Sequence, residues 1–255
     1  MKLANVDFES FGKSVKYALD AIAAYKQIAE QSAILIKPNL TTVSPHPITT
    51  SPECCEVIIE YIRKHSKAEI VIAEGCGDTN YETDEVFKNL GYTAMAEKQG
   101  VHLADLNYGP VKTLKNPDCP VFPKMYLPEI AFNHYIISVP VLKAHSLAGM
   151  TGSLKNMMGF AQPEYYSGRY GIWKKAVFHR RMQESIIDLN KYLIPDLSVI
   201  DCSIGMAEFH LGGARCDPHV KKIIAAYNPW LADREAAELL KLNWNHIEHI
   251  AAGFR

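Results

Sequence analysis

The densest chemistry in this 255-residue chain lies between Val139 and Gly159. There the run Lys143-Ala144-His145-Ser146-Leu147-Ala148-Gly149-Met150-Thr151-Gly152-Ser153-Leu154-Lys155-Asn156 gathers two lysines, a histidine, hydroxyls and an amide around two glycines. Glycine lets a backbone turn tightly and approach a ligand closely, as Gly149 and Gly152 would here. A short helix is expected from Leu154 to Met158, capped by Thr151 or Ser153. Free N–H groups at such a start favour a phosphate or a carboxylate. Lys143 and Lys155 would add positive charge, and Asn156 an oriented amide. The segment therefore reads as an anion-binding site. A plainer reading, surface lysines beside a glycine turn, fits the same spacing. The Walker pattern G-x-x-x-x-G-K-[ST] is absent, and Gly75-Cys76-Gly77 lacks the third glycine of a dinucleotide fingerprint.

Other candidates follow from one rule: in open α/β sheets, ligands bind beyond the carboxyl ends of the strands. Lys37 and Asn39 follow one apolar run, Glu74 and Asp78 a second, Lys143 and His145 a third, and Asp201 ends a fourth. Ends of separate strands can converge on one cleft. His145 is a candidate general base, metal ligand or structural histidine, because imidazole is the side chain most easily tuned to neutral pH. With Asp201 it forms the candidate catalytic pair, while Glu74 and Asp78 are candidate ligands for a divalent metal of mixed nitrogen and oxygen coordination. Lys37, Asn39, Lys143, Thr151, Gly152, Ser153, Lys155 and Asn156 are the candidate ligand-binding residues. His210 and Arg215 share a second glycine loop, where Arg215 could clamp a carboxylate. His246 and His249 lie three apart on an expected helix, a spacing that suits a metal but more commonly serves surface or packing. Trp173 with Tyr165, Tyr166 and Tyr170 could form an apolar wall or lid.

The elements that must position these residues follow from periodicity. A helix is expected from Phe11 to Ala29, with apolar residues at Val15, Ala18, Leu19, Ile22 and Ala23. The continuous runs Ala33–Ile36, Glu69–Ala73, Val101–Leu106, Tyr135–Leu142, Leu197–Asp201 and Ile223–Tyr227 read as buried strands. Between them come helices, one announced by Ser51-Pro52-Glu53 as N-cap, first-turn proline and first-turn acid. Others are expected across Thr83–Gln99 with a break at Gly91, Lys175–Tyr192 and Ala232–Leu242. Strand, loop, helix and strand in alternation predict an α/β fold with a mostly parallel central sheet, helices on both faces and a Rossmann-like build. The proline-rich stretch near 107–130 predicts a small irregular or antiparallel insertion. No internal repeat or linker divides the chain, so residues 1–255 read as one α/β domain.

Composition sets the outer bounds. Hydrophobic residues make up 48% and charged residues 22%, with a net charge of −1, as in an ordinary globular protein. No basic run favours nucleic acid. No signal-type segment and no stretch of roughly 18–20 apolar residues suited to a membrane is present, so a cytoplasmic location is expected. The six cysteines form no C-x-x-C pair, and local spacing supports neither a structural zinc nor an iron–sulfur cluster.

Several motifs together resemble a known family. Ile34-Leu35-Ile36-Lys37-Pro38-Asn39-Leu40, Thr49-Thr50-Ser51-Pro52-Glu53 and Glu74-Gly75 are similar to its opening motifs. Val139–His145 with Thr151–Gly159 is similar to its central signature, and Asp233–Leu240 before His246–Ile250 to its closing helices. The family is the domain of unknown function 362, of bacterial and archaeal α/β proteins, and the resemblance covers nearly the whole chain. It implies a fold without assigning a reaction. Some members carry a ferredoxin-like cluster module, and this chain lacks the cysteines for one. Members commonly have a glycine-proline turn after the strand that ends here in Asp201, where this chain has Glu208–Ala214.

Three functional expectations result. The first is an enzyme acting on a small anionic metabolite, phosphorylated or carboxylated, with a divalent metal as a candidate cofactor. Lys37, Lys143 and Lys155 would bind the anion with the amides around Thr151–Lys155, His145 would move a proton, and Glu74 or Asp201 would orient it or hold the metal. The second is a non-catalytic ligand-binding domain or partner of a ferredoxin-like redox protein, and the third is metal storage or delivery by the ten histidines. A homo-oligomer is compatible with all three.

Overall fold

A computed structural model describes residues 2–169 and 173–255. The chain opens with β1 (Leu3–Asp7), α1 (Phe11–Ala21), α2 (Ala24–Ile28), β2 (Ala33–Pro38), α3 (Pro52–His65) and β3 (Glu69–Glu74). Next come α4 (Thr83–Asn89), α5 (Tyr92–Gln99), β4 (His102–Asp105) and the pair β5 (Val111–Lys115) and β6 (Lys124–Pro128). The central stretch holds β7 (Tyr135–Val139), β8 (Val141–His145), β9 (Gly149–Thr151), α6 (Ser153–Asn156) and α7 (Pro163–Tyr166). The chain closes with α8 (Met182–Tyr192), β10 (Leu197–Met206), β11 (Lys222–Ala226), α9 (Pro229–Leu239) and α10 (Glu248–Ala251).

The main sheet runs β1-β11-β10-β7-β2-β3-β4. Its centre, β10 through β4, is parallel, and β11 and β1 add an antiparallel edge. β5 and β6 form a separate antiparallel ribbon, the expected insertion. Alternate residues of each strand face opposite sides, so two apolar layers result. Ile34, Ile36, Ile70, Ile72, Ile137, Val139 and Val199 pack with α1, α3 and the α4–α5 pair. Leu35, Val71, Ala73 and Ile136 pack on the other side with α6, α8 and the β5–β6 ribbon, and Ile200, Cys202 and Ile224 continue that side under α9. Among the described residues no helix is long and apolar enough to cross a membrane.

Several elements differ from the periodicity reading, each for a local reason. The first helix breaks at Ala23, whose φ of 57° and ψ of 43° are left-handed. Gly91 at φ 84° makes the expected break between α4 and α5. The Tyr135–Leu142 run is two strands, because Pro140 has no N–H to continue a ladder. β7 lies between β2 and β10, whereas β8 leaves β2 and pairs with β10 and β9. That step carries Lys143 and His145 within a β-hairpin over the carboxyl end of the sheet, where a loop was expected. The helix expected from Lys175 begins at Met182, preceded by a 3-10 segment from Ala176 to Arg181.

The short helix of the central segment is present as α6, and its free amides are taken. Ser153 N and Leu154 N donate to Asp233 Oδ1 and Oδ2 at 2.6 and 3.0 Å. Asp233, wholly buried on α9, therefore fills the place expected for a ligand anion. A Cβ on Gly152 would lie 2.5 Å from that carboxylate, so the glycine admits the cap rather than a substrate. Burial pushes the Asp233 carboxyl up to about 7, against the two amide bonds that pull it down.

Two stability outcomes follow. Asp233→Ala should lower unfolding free energy by about 2–3 kcal/mol, since it leaves two buried amides without an acceptor. Asp233→Asn, which keeps one acceptor, should cost less in urea denaturation at pH 7. Ala23→Gly should stabilise the chain by about 0.5–1 kcal/mol, because it relieves a left-handed alanine while loosening the unfolded state.

Candidate functional site

The site begins at the end of β2, where the apolar run stops at Lys37. The side chain is fully buried, and its Nζ meets Glu74 Oε1 of β3 at 2.6 Å and donates to Pro38 O at 2.9 Å. Glu74 is otherwise held by amides: Gly75 N donates to Oε1 and Leu40 N to Oε2, both at 2.8 Å. Burial lowers the Lys37 amine and Glu74 pulls it back up. Gly159 lies against this pair. A Cβ there would sit 2.3 Å from Glu74 Oε1 and 2.4 Å from Lys37 Nζ, so no other residue fits without displacing them.

α6 roofs the ends of three strands. Asn156 Nδ2 donates to Lys37 O at 2.9 Å and to Ser138 Oγ of β7 at 3.1 Å. Its Oδ1 accepts from Asn39 Nδ2 and from Lys37 Nζ, both at 3.4 Å. Ser153 Oγ meets Ser198 Oγ of β10 at 2.6 Å. Lys37, Ser138 and Ser198 stand side by side in register, which explains how one helical turn can bond to all three strands.

Four lysines converge here. Lys143, buried on β8, donates to Ile48 O at 2.5 Å. Burial pushes it down to about 7, helped by the charge of Lys155. Lys175 is buried among Asn107 Oδ1 and Gly159 O at 3.1 Å and Ala161 O at 2.8 Å, and burial also lowers it to about 7. Lys155, on α6, is lowered to about 8 by burial and then by Lys37. It keeps some exposure and makes no hydrogen bond or ion pair among the described residues. Glu74 is the one carboxylate whose charge bears on all four. The balance is strongly cationic.

The charge of Lys155 bears on four histidines. His145 is mostly buried, and its Nδ1 accepts from Leu147 N and Ala148 N, both at 3.2 Å. The neutral ring therefore carries its proton on Nε2. It stacks on His210 with ring centroids 3.9 Å apart. Burial pushes His145 down to about 2 and His210 to about 4, with Lys155 the next cause for each. His249 is buried, with Nδ1 2.7 Å from Gln183 Oε1, and burial and Lys155 lower it to about 3. The Gln183 oxygen also accepts from His249 N, so Nδ1 is the donor, and the unprotonated Nε2 is buried without a hydrogen-bond partner among the described residues. His179 is lowered chiefly by burial and also by Lys155. The rings are thus neutral at neutral pH, and the cationic charge is that of the amines.

The expected residues divide on this geometry. Lys37, Asn39, Lys143, Lys155 and Asn156 meet in one place, with Thr151 opposite Lys143 across the β8–β9 hairpin. Asp201 does not join His145. Its Oδ2 lies 2.9 Å from His46 Nε2 and its Oδ1 accepts from Ser203 N, on the sheet face that packs α1 and α3. Strand parity is the cause, since Asp201 alternates with Ile200 and Cys202, which face α9. The Glu74–Asp78 metal pair is not formed either: Glu74 is committed to Lys37 and two amides, and Asp78 Oδ1 accepts from Asn80 N in the loop. Among the described residues no three His, Cys, Asp or Glu side chains are grouped to hold a metal. Ser153 and Gly152 serve the Asp233 cap. Arg215 is exposed, and His246 is exposed while His249 is buried, so the His246–His249 pair does not form. Tyr165 stacks on Tyr126 and Tyr166 packs against Phe178, while Trp173 is exposed and Tyr170 lies outside the described residues.

Lys175 and His179 were not marked by spacing, and His249 was marked only as the i+3 neighbour of His246. They come from segments distant in sequence, and only the apolar setting of His249, between Ile247 and Ile250, hinted at burial.

Comparison with solved structures places the fold beside the lactate racemase apoprotein from Thermoanaerobacterium thermosaccharolyticum, with a TM-score of 0.59 and 16% identity. The match covers 91% of this chain and 55% of that one, so this chain spans about half the length of that protein. Comparison with curated proteins gives no match. The family model described as Domain of unknown function (DUF362) matches residues 34–238, which hold the lysine cluster, its α6 roof and the Asp233 cap, and the chain belongs to that family.

Proposed function

We propose that the lysine cluster around Lys155 binds a small anionic metabolite, carboxylated or phosphorylated, and that the protein is an enzyme acting on it. The observation that carries this reading is the charge count: Lys37, Lys143, Lys155 and Lys175 share one buried carboxylate, Glu74. Buried cations without counter-charge are costly, and an anionic ligand supplies the missing charge. Lys143 and Lys155 are its direct contacts, because Lys37 and Lys175 are already bonded on several sides. Asn39 and Asn156 bond to each other, and Asn156 bonds to Lys37, which fixes that end of the cluster. His145 presents a fixed Nε2–H, suited to donate a hydrogen bond to a ligand oxygen. The lactate racemase that shares the fold acts on a small carboxylate, in keeping with this ligand class.

Titration calorimetry with inorganic phosphate and with pyruvate at pH 6.5 tests the reading. Lys143→Ala and Lys155→Ala should each weaken binding about tenfold or more, the loss of one charge-assisted hydrogen bond. Unchanged affinity in both folded variants overturns the assignment. Binding should also weaken as pH rises from about 6.5 to 9, because the two amines lose their protons near 7 and 8. Proton uptake on binding near pH 8 is the calorimetric sign.

A linked effect concerns the unliganded protein. The lysine pKa falls from 10.5 in the unfolded chain to about 7 at Lys143 in the fold. Between those values the unfolded chain binds more protons, so this group makes stability rise with pH, and its penalty is greatest below pH 7. Lys143→Met should flatten that rise in melting temperature between pH 7 and 10. Added phosphate should raise the melting temperature more at pH 6 than at pH 9.

A further inference from the structure

The four lysines are not equivalent in what holds them. Lys37 is fixed by Glu74 and Pro38 O, Lys175 by three oxygens and Lys143 by Ile48 O. Lys155 alone of the four has no bonding partner among the described residues and keeps some solvent access. It projects from a helix pinned by Asn156 and by the Asp233 cap, so its backbone is immobilised while its amine is free. Its charge reaches the neutral rings of His145, His179, His210 and His249. An amine among cations and neutral rings, with no carboxylate in contact, is the setting that makes lysine a nucleophile.

We infer that Lys155 captures its ligand covalently, its Nζ condensing with the carbonyl of a small oxo-compound whose carboxylate or phosphate rests on Lys143. The inference builds on the anion-site reading and narrows the ligand class to anions that also carry an aldehyde or ketone. The Nζ lone pair attacks the carbonyl carbon, a C–N bond forms, and the carbonyl π pair moves to oxygen. One amine proton passes to that oxygen and gives a carbinolamine. The hydroxyl, hydrogen-bonded by His145 Nε2–H, then takes a proton from solvent and leaves as water while C=N forms, and the second amine proton is released to solvent. The sum is amine plus carbonyl giving imine plus one water, with no oxidant or reductant. The free amine is already half unprotonated near pH 8, so attack needs no further base. His145 is oriented for its part, since two backbone amides hold Nδ1 and leave the proton on Nε2.

The test uses the full chain with two probes, pyruvate as a carboxylated ketone and glyceraldehyde 3-phosphate as a phosphorylated aldehyde. Each is incubated with the protein at pH 7.5, reduced with sodium borohydride, and mapped by intact-mass and peptide mass spectrometry. The expected result is one reduced adduct per chain, on Lys155, from at least one probe. Which probe reacts tells carboxylate from phosphate as the anchoring group. Lys155→Arg, which keeps the charge, should abolish the adduct, and Lys143→Ala should still form it at higher probe concentration. Excess phosphate should protect Lys155. Calorimetric binding of pyruvate or phosphate without any adduct overturns the imine and leaves the anion site standing. Absence of both binding and adduct overturns both. Adducts spread over exposed lysines and unchanged in Lys155→Arg also overturn the inference.

Discussion

Four ammonium groups gathered out of water around one carboxylate are the constraint that the rest of the site obeys. Each buried amine loses hydration, and mutual repulsion adds to that loss. The fold answers with fixed oxygen atoms at three of them. The carbonyls of Pro38, Ile48, Gly159 and Ala161 and the amide of Asn107 are backbone or well-packed acceptors. Such dipoles soften the cost without cancelling the charge. The net positive field is therefore built into the architecture, and it adds to the burial that keeps the histidines nearby neutral.

The sheet and its roof divide the labour. Parallel strands deliver Lys37 and Glu74 to one rim, and the Pro140 break lets the next strand lean outward with Lys143 and His145. α6 then closes over the strand ends with polar bonds where an ordinary crossover helix would use apolar ones. Its own helix start is neutralised from within by Asp233. An internal carboxylate at that point occupies the backbone amides and leaves the lysines as the positive charge of this rim.

Much of this was legible in the amino-acid order. Lys37, Asn39, Lys143, Lys155 and Asn156 stand where strand-end and glycine-turn logic put them, and the α/β grammar with its antiparallel insertion is read from buried runs and prolines. What failed did so for identifiable reasons. Asp201 sits at a strand end like the others, but its parity turns it to His46 on the far side. The amides of Ser153 and Leu154 looked vacant because their partner lies about 80 positions later in the chain. Lys175 and His179 reach the site through tertiary packing alone, and the spacing that singled out His249 pointed to His246 instead of to this site. The lost register at Pro140 was visible in principle, since proline cannot bridge a central ladder.

Gly159 and Gly75 have a consequence for how such a chain can vary. The space of a Cβ at Gly159 is occupied by Lys37 and Glu74, and that at Gly75 by Gly159 O and the Asn107 amide, with Lys175 Nζ 3.1 Å away. The charged groups are thus interlocked with two positions that carry no side chain at all. A change at either glycine forces simultaneous change at a lysine, and a shortened lysine opens room that a larger residue could then fill. These positions are epistatic, and descendants of this chain can leave the lysine arrangement only by crossing through poorly folded intermediates or by several substitutions made together.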